Sequence, residues 1–209
     1  MSQSAILLEP PAERLMSLHA WAAMAEDEPG ELVAGRLVEE EMARPSHETV
    51  VSWIQHRLTG WAEARAGQVF GSEAKFAVGP GRGRKPDISV FFEIPRLSED
   101  EPIRTPPDVV VEVVSPTPRD GRRDRVEKLR EYAVFGVRWY WLVDTRLRTV
   151  EILRLGDDGR YANFLSAAEG VVDVPGCEGL TVDIDAMWAR VDRVCGGDRE
   201  AGEGGERDT

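Results

Sequence analysis

At 209 residues, 42% hydrophobic and 31% charged, the chain has the size and make-up of one well-cored globular domain. No apolar run approaches the roughly 18 residues of a membrane span, and Met1 to Pro10 lacks the basic start of a secretory signal, so a cytoplasmic location is expected. A net charge of -12 argues against a protein that coats nucleic acid non-specifically, but not against one that engages it at a locally basic site.

Leu15, Leu18, Trp21, Ala22 and Ala25 fall at helical spacing between Glu13 and Glu26, stopped by Pro29-Gly30. Glu31 to Glu39 reads as a hairpin turning at Ala34-Gly35. Ser46 is the expected N-cap of a helix that carries Val50, Trp53, Ile54, Leu58 and Trp61 and closes near Gly67. Val69 to Val78 and Ile88 to Glu93 are strand candidates, joined by the glycine-rich basic loop Gly81 to Lys85. After the proline- and acid-bearing connection Ile94 to Pro107 comes Val109 to Val114. Ser115 to Pro118 then breaks the chain, and a helix is expected from Asp120 or Gly121 to Gly136. Trp139 to Val143 reads as a covered strand, Thr149 to Leu155 and Tyr161 to Leu165 as a meander around Asp157-Asp158-Gly159, and Val182 to Val191 as a closing helix. Residues 1–194 are thus read as one domain, and 195–209 as a disordered acidic, glycine-rich tail. The order predicts an α/β (α+β) fold, a mixed sheet with helices on its faces. Cys177 and Cys195 lie far apart at no zinc spacing, and a disulfide is not expected in the cytosol.

The most informative segment is Val109-Val110-Val111-Glu112-Val113-Val114, five valines around one acid. Such a strand is covered on both faces, where a lone carboxylate is costly, so Glu112 needs a cation. Two are on offer: a divalent metal ion shared with Asp87, from the neighbouring strand-like segment, and Lys128 on the next helix. Two acids on adjacent strands with a lysine nearby make the parts of a metal-dependent phosphodiester-cleaving site. Each residue also has a plainer reading. Glu112 would be paired with a buried arginine, Asp87 would hydrogen-bond locally at a strand start, and Lys128 would form an exposed i,i+4 pair with Asp124. With Val126, Leu129 and Ala133 as the apolar stripe of its helix, Lys128 borders that stripe and can reach the sheet edge.

Basic residues flank these acids. Gly81 to Lys85 precedes Asp87, and Arg119 to Arg130 holds six basic residues, Arg122, Arg123 and Lys128 among them, against three acids. Lys85, Arg122 and Arg123 are the candidate substrate contacts, set against the plain reading of solvated surface charge. His47 beside Glu48 reads as a structural histidine at a helix start. Ser115 lacks a nucleophile-elbow context and Gly79 to Gly83 lacks the end of a phosphate loop, so no serine hydrolase or nucleotide site is indicated.

In this order the segments resemble the Uma-type (Uma-two) family of restriction endonucleases, within the PD-(D/E)XK nuclease superfamily. The carriers are Glu31-Leu32-Val33-Ala34-Gly35, Pro45-Ser46-His47, Lys85-Pro86-Asp87, Pro107-Asp108 leading to Val111 to Pro116, Asp124 with Lys128 and Tyr132, and Gly136 to Asp144. The resemblance implies a restriction-endonuclease-like core, DNA as partner, cleavage with Mg²⁺ or Mn²⁺, and Asp87 and Glu112 as metal ligands. The superfamily's lysine two residues after the glutamate is Val114 here, and the resemblance implies Lys128 from the following helix in its place. Glu31 is a candidate auxiliary acid. The alternative is a catalytically inactive nucleic-acid-binding or scaffold protein of the same fold. The oligomeric state stays open, a homodimer included.

Overall fold

The computed structural model describes residues 15–25, 30–38, 43–114 and 122–196. The expected break at Ser115 to Pro118, the helix start at Asp120 or Gly121, both outer ends of the first helix and residues 197–209 of the tail lie outside them. Short helix α1 (Leu18–Ala22) precedes strands β1 (Glu31–Val33) and β2 (Arg36–Val38) and the long helix α2 (Pro45–Glu63). Strands β3 (Gln68–Phe70), β4 (Phe76–Gly79), β5 (Arg82–Arg84), β6 (Ile88–Phe91) and β7 (Val109–Val114) follow. A π-helical segment (Arg123–Lys128) runs into α3 (Leu129–Phe135), which Gly136 ends in the left-handed conformation (φ 100°). Strands β8 (Trp139–Asp144), β9 (Thr149–Leu155), β10 (Tyr161–Ala167), β11 (Val171–Asp173) and β12 (Thr181–Asp183) lead to helix α4 (Ile184–Cys195).

The main sheet has the order β10-β9-β8-β7-β6-β3, and its neighbours are antiparallel except β7 and β8. That parallel pair needs a crossover, which the π-helical segment and α3 supply. A second sheet, β2-β1-β5-β4, and a small β11–β12 hairpin complete the fold.

Strand alternation divides the core. Val109, Val111 and Val113 join Trp139, Trp141 and Val143 in one cluster with Val50, Ile54 and Leu58 of α2 and Met187 and Trp188 of α4. Val110 and Val114 turn the other way, into a second cluster with Phe76, Phe91, Tyr132, Tyr140 and Leu142. Glu112 shares the face of Val110 and Val114, as the period of two requires. It is therefore delivered into the space under α3.

Several expectations are corrected. Val69 to Val78 is two strands, β3 and β4, in different sheets, and the basic loop after it is strand β5, paired with β4 and β1. Arg44, not Ser46, is the N-cap of α2, with Pro45 at the first helical position where its missing N–H costs nothing. Val126 is 39% exposed, and the buried face of its helix is Asp124, Lys128 and Tyr132. The helix packs its polar side inward because what it meets is Glu112. The β1–β2 hairpin turns at Ala34-Gly35 as expected, both at positive φ (51° and 78°), and β7, β8 and the meander fall where the pattern puts them. The last helix begins at Ile184, with β12 before it, and its final residue Cys195 laps one position into the expected tail.

Candidate active site

Glu112 is 3% exposed, and both its oxygens are engaged from the crossover helix. The Lys128 ammonium donates to Oε2 at 2.8 Å and the Tyr132 hydroxyl to Oε1 at 2.7 Å. Lys128 and Tyr132 stand four apart on one helical face, so a single element brings both donors to one carboxylate. Lys128 is itself 2% exposed and lies 3.5 Å from Asp124 Oδ1 and 3.3 Å from Glu31 Oε1. The Asp124–Lys128 pair expected on the surface is buried. Its turn is π-helical, a winding often found at functional sites, and the Asp124 carbonyl is held by the Tyr140 hydroxyl at 3.0 Å.

Asp87 immediately precedes β6, and the register that pairs Ile88 with Val111 carries it opposite Glu112, on the same face of the sheet. Its Oδ2 accepts the Val113 N–H at 2.7 Å and lies 3.3 Å from His47 Nε2. Its Oδ1 has no hydrogen-bond partner among the described residues. Asp87 is the more open end of the group, and Glu112 and Lys128 are the closed end.

The Uma2 family model, whose description reads "Putative restriction endonuclease", matches residues 15–185. The chain belongs to the Uma2 family. A solved structure it resembles is that of a nuclease described as "putative" and belonging to DUF820, from Anabaena variabilis. The two are 22% identical with a TM-score of 0.65, over 84% of this chain and 99% of the other. That likeness establishes that the two share a fold, a mixed sheet flanked by helices. No curated protein matches the chain.

Around the Uma2 motif residues the structure adds a layer of buried charge. Glu31 is fully buried and takes the Arg84 guanidinium at 2.6 Å and the Lys85 N–H at 3.1 Å. Arg84, equally buried, also donates to Glu131 of α3 at 2.7 Å, and Arg82 reaches Glu131 at 2.5 Å. Burial pushes Glu31 up, but Lys128 and Arg84 outweigh it and hold the acid below its ordinary range. Burial also opposes the charge on Arg84, and Glu31 and Glu131 more than restore it.

Glu112 goes the other way. Burial drives its proton affinity well up, Lys128 only partly offsets this, and Asp87, Asp124 and Glu31 add to it. Asp124 is raised for the same reasons. The Lys128 ammonium is shared among three carboxylates, of which Glu31 also has Arg84 and Asp124 also feels Arg123, so Glu112 is the acid whose charge is least compensated. Tyr132, buried beside Glu112, is pushed far above the ordinary phenol range and remains a donor.

This has a consequence for stability. Because the folded value of Glu112 lies above the unfolded value of 4.5, its contribution is complete below pH 4.5 and is lost as pH rises toward the folded value. Glu31, depressed on folding, contributes in the opposite sense. Glu112→Gln is therefore expected to raise the metal-free melting temperature at neutral pH, with the gain shrinking toward pH 4.5. Melting curves of both proteins between pH 4 and pH 8 check it, and a gain that does not change with pH contradicts it.

The remaining sequence candidates are dispersed. Lys85 holds Glu73 at 2.6 Å with its ammonium while its N–H serves Glu31. Arg123 faces inward enough for its charge to act on Glu31 and Asp124, and Arg122 is exposed at the start of the helical segment. Sequence reasoning assigned no role to Arg84 or Glu131, read Asp124 as a surface partner of Lys128, used Tyr132 only as a carrier of the family resemblance, and treated His47 as structural. The spacing Asp124, Lys128, Tyr132 was the available signal, since three polar residues at i, i+4 and i+8 share a helical face.

The donor chemistry fits a small hard cation. Among the described residues no three acids, histidines or cysteines form a ready-made metal cage. Mg²⁺, however, needs only one or two carboxylates beside water and substrate oxygens. Asp87, whose Oδ1 has no hydrogen-bond partner among the described residues, and Glu112, with the lone pairs that Lys128 and Tyr132 leave, supply such a pair, and the uncompensated charge of Glu112 favours a dication there.

Proposed function

We propose that the chain is a metal-dependent endonuclease that hydrolyses DNA phosphodiester bonds, with Asp87 and Glu112 holding Mg²⁺ or Mn²⁺ and Lys128 as the catalytic cation. The observation that carries this reading is the placement of Asp87 opposite Glu112 across the β6–β7 pair, with the Lys128 ammonium on Glu112 at 2.8 Å. When bound, the metal supplies charge to the phosphoryl oxygens and acidifies a water. The chain's own residues do the rest. Tyr132 and Lys128 fix the Glu112 carboxylate in one orientation, and the Val113 N–H fixes Asp87. Lys128, whose ammonium is the positive charge closest to Glu112, stabilises the negative charge that grows on the phosphate. Glu31 and Arg84 form the buried floor that keeps Lys128 in place.

The closure of Glu112 favours a second reading, a non-catalytic nucleic-acid-binding or scaffold protein of this fold. One experiment separates them. Plasmid and single-stranded DNA are incubated with Mg²⁺, Mn²⁺ or EDTA, and melting is recorded under the same conditions. Cleavage with either metal and none in EDTA is expected. Metal at 100 times its Kd should also stabilise the fold by about 2.7 kcal/mol. No cleavage and no melting shift with either ion would leave the scaffold reading.

A further inference from the structure

The mouth of the site carries a second feature that the cleavage chemistry does not use. A cleft of about 410 Å³ is lined by Arg44 and Ser46, at the start of α2, and by Thr145 and Arg146, in the turn after β8. All four side chains are hydrogen-bond donors, and none is a carboxylate. Three clefts of similar size each carry two acids: Glu48 and Glu73, Glu127 and Glu131, or Glu93 and Asp108. In a protein of net charge -12, Arg44, Ser46, Thr145 and Arg146 are set apart by having no acid among the described residues that line their cleft.

The donors are also unspent. Neither guanidinium has a carboxylate partner, and neither hydroxyl has a hydrogen bond, among the described residues. The first backbone N–H groups of the 19-residue α2 open toward the same end without a side-chain cap, which adds positive potential.

Position ties the cleft to the site. Ser46 is followed by His47, whose Nε2 lies 3.3 Å from Asp87 Oδ2. Thr145 and Arg146 follow Asp144, which pairs with Val114, two residues beyond Glu112. Successive phosphates of one strand advance about 3.4 Å along the helix axis, so a strand with one phosphate at Asp87 brings a neighbour toward these arginines.

We infer that Arg44, Ser46, Thr145 and Arg146 form a subsite for a backbone phosphate of the nucleic-acid substrate, beside the scissile position. This rests on the nuclease reading above and adds to it the residues that set the strand's register. The guanidiniums take the phosphate oxygens in charge-assisted, forked hydrogen bonds, and the hydroxyls complete the cradle. Contacts of this kind position a strand without reading its sequence.

The test measures binding of a labelled duplex oligonucleotide by fluorescence anisotropy, with Ca²⁺ in place of Mg²⁺, across a salt series. Arg44→Gln/Arg146→Gln is compared with the wild type and with Arg160→Gln, an exposed arginine in the β9–β10 turn. The double variant should bind about tenfold more weakly or worse, with the log–log salt slope reduced by about 1, while Arg160→Gln stays within about twofold. In cleavage assays KM should rise with kcat little changed. Unchanged affinity and slope in the double variant, with a wild type that binds and cuts, overturns the subsite and leaves the nuclease reading standing. Inorganic phosphate that fails to compete with the duplex in the wild type is expected at millimolar concentration. Phosphate that competes fully, with duplex binding intact in the double variant, marks a free-phosphate site and overturns the assignment to substrate. A wild type that neither binds nor cuts removes both readings.

Discussion

Asp87→Asn and Glu112→Gln are each expected to abolish cleavage, by roughly a thousandfold or more, in chains that remain folded. Both changes keep the shape of the side chain and one acceptor oxygen. Asp87→Asn leaves the Val113 N–H its acceptor, and Glu112→Gln keeps one acceptor oxygen for the Lys128 ammonium while its amide N–H donates to the Tyr132 hydroxyl oxygen. What each change removes is a negative charge at the place where a dication would be held, and catalysis that depends on that charge fails without it. The second readout is metal-induced stabilisation. The melting shift that Mg²⁺ or Mn²⁺ gives the wild type should vanish in both variants, and a purely structural role for either acid would leave it in place. Wild-type cleavage by either variant ends the assignment of that residue.

The parts of this site that were legible in the sequence are those written in local patterns. Five valines around Glu112 specify a strand buried on both faces, and a period of two then fixes which face Glu112 takes. The hidden parts depend on partners far along the chain. Arg82, Gly83 and Arg84 read as a solvated basic loop because glycine and arginine are poor strand formers. Arg84 is nonetheless fully buried, because Glu31, 53 positions away, and Glu131, 47 away, neutralise it. Gly83 has its own reason to be there, since a Cβ at that position would run into the Trp21 ring. No window of ten residues contains either explanation.

The crossover helix misled in a different way. Apolar periodicity put Val126 inward, yet the element turns Asp124, Lys128 and Tyr132 to the sheet. Hydrophobic patterning assumes that a helix buries its apolar stripe, and here the surface it meets is a carboxylate already embedded among valines. A polar face is the one that satisfies it. The π-helical winding of Arg123–Lys128 further shifts the register that an ideal helical wheel assumes. The same logic accounts for His47. At a helix start it reads as a structural residue, but its Nε2 faces Asp87, so it belongs to the open end of the site.

Lys128 carries the largest stability prediction, and burial changes its size. An exposed i,i+4 pair with Asp124 would be worth a few tenths of a kcal/mol, about 0.2–0.5. The ammonium is instead 2% exposed and stands among Glu112, Glu31 and Asp124 at 2.8, 3.3 and 3.5 Å. Removing it takes the nearest cation from buried Glu112 and Asp124 and leaves Glu31 with Arg84, and Lys128→Ala is expected to cost on the order of 3–5 kcal/mol at neutral pH. The sign with pH follows from the acids left behind. Without the ammonium the folded values of Glu112 and Asp124, already raised, move further up, and Glu31 loses its largest favourable partner. Raised acids contribute fully below their unfolded values and lose that contribution as pH rises, so the deficit against wild type should be largest near pH 7. It should shrink as pH falls toward the unfolded values of 4.5 for Glu112 and 3.8 for Asp124. Denaturant melts across that range check this, and a deficit of a few tenths, flat with pH, returns Lys128 to the status of a surface pair. Turnover is measured separately, at a temperature where circular dichroism shows the variant folded. There Lys128→Ala should lose about a hundredfold in kcat with little change in metal affinity. Lys128→Arg should restore part of the stability, because it restores a charge, but not the rate, because a planar fork cannot occupy the place of a compact ammonium between three carboxylates. Recovery of both together would make Lys128 a structural counter-ion, and the catalytic cation would then have to be sought at Lys85.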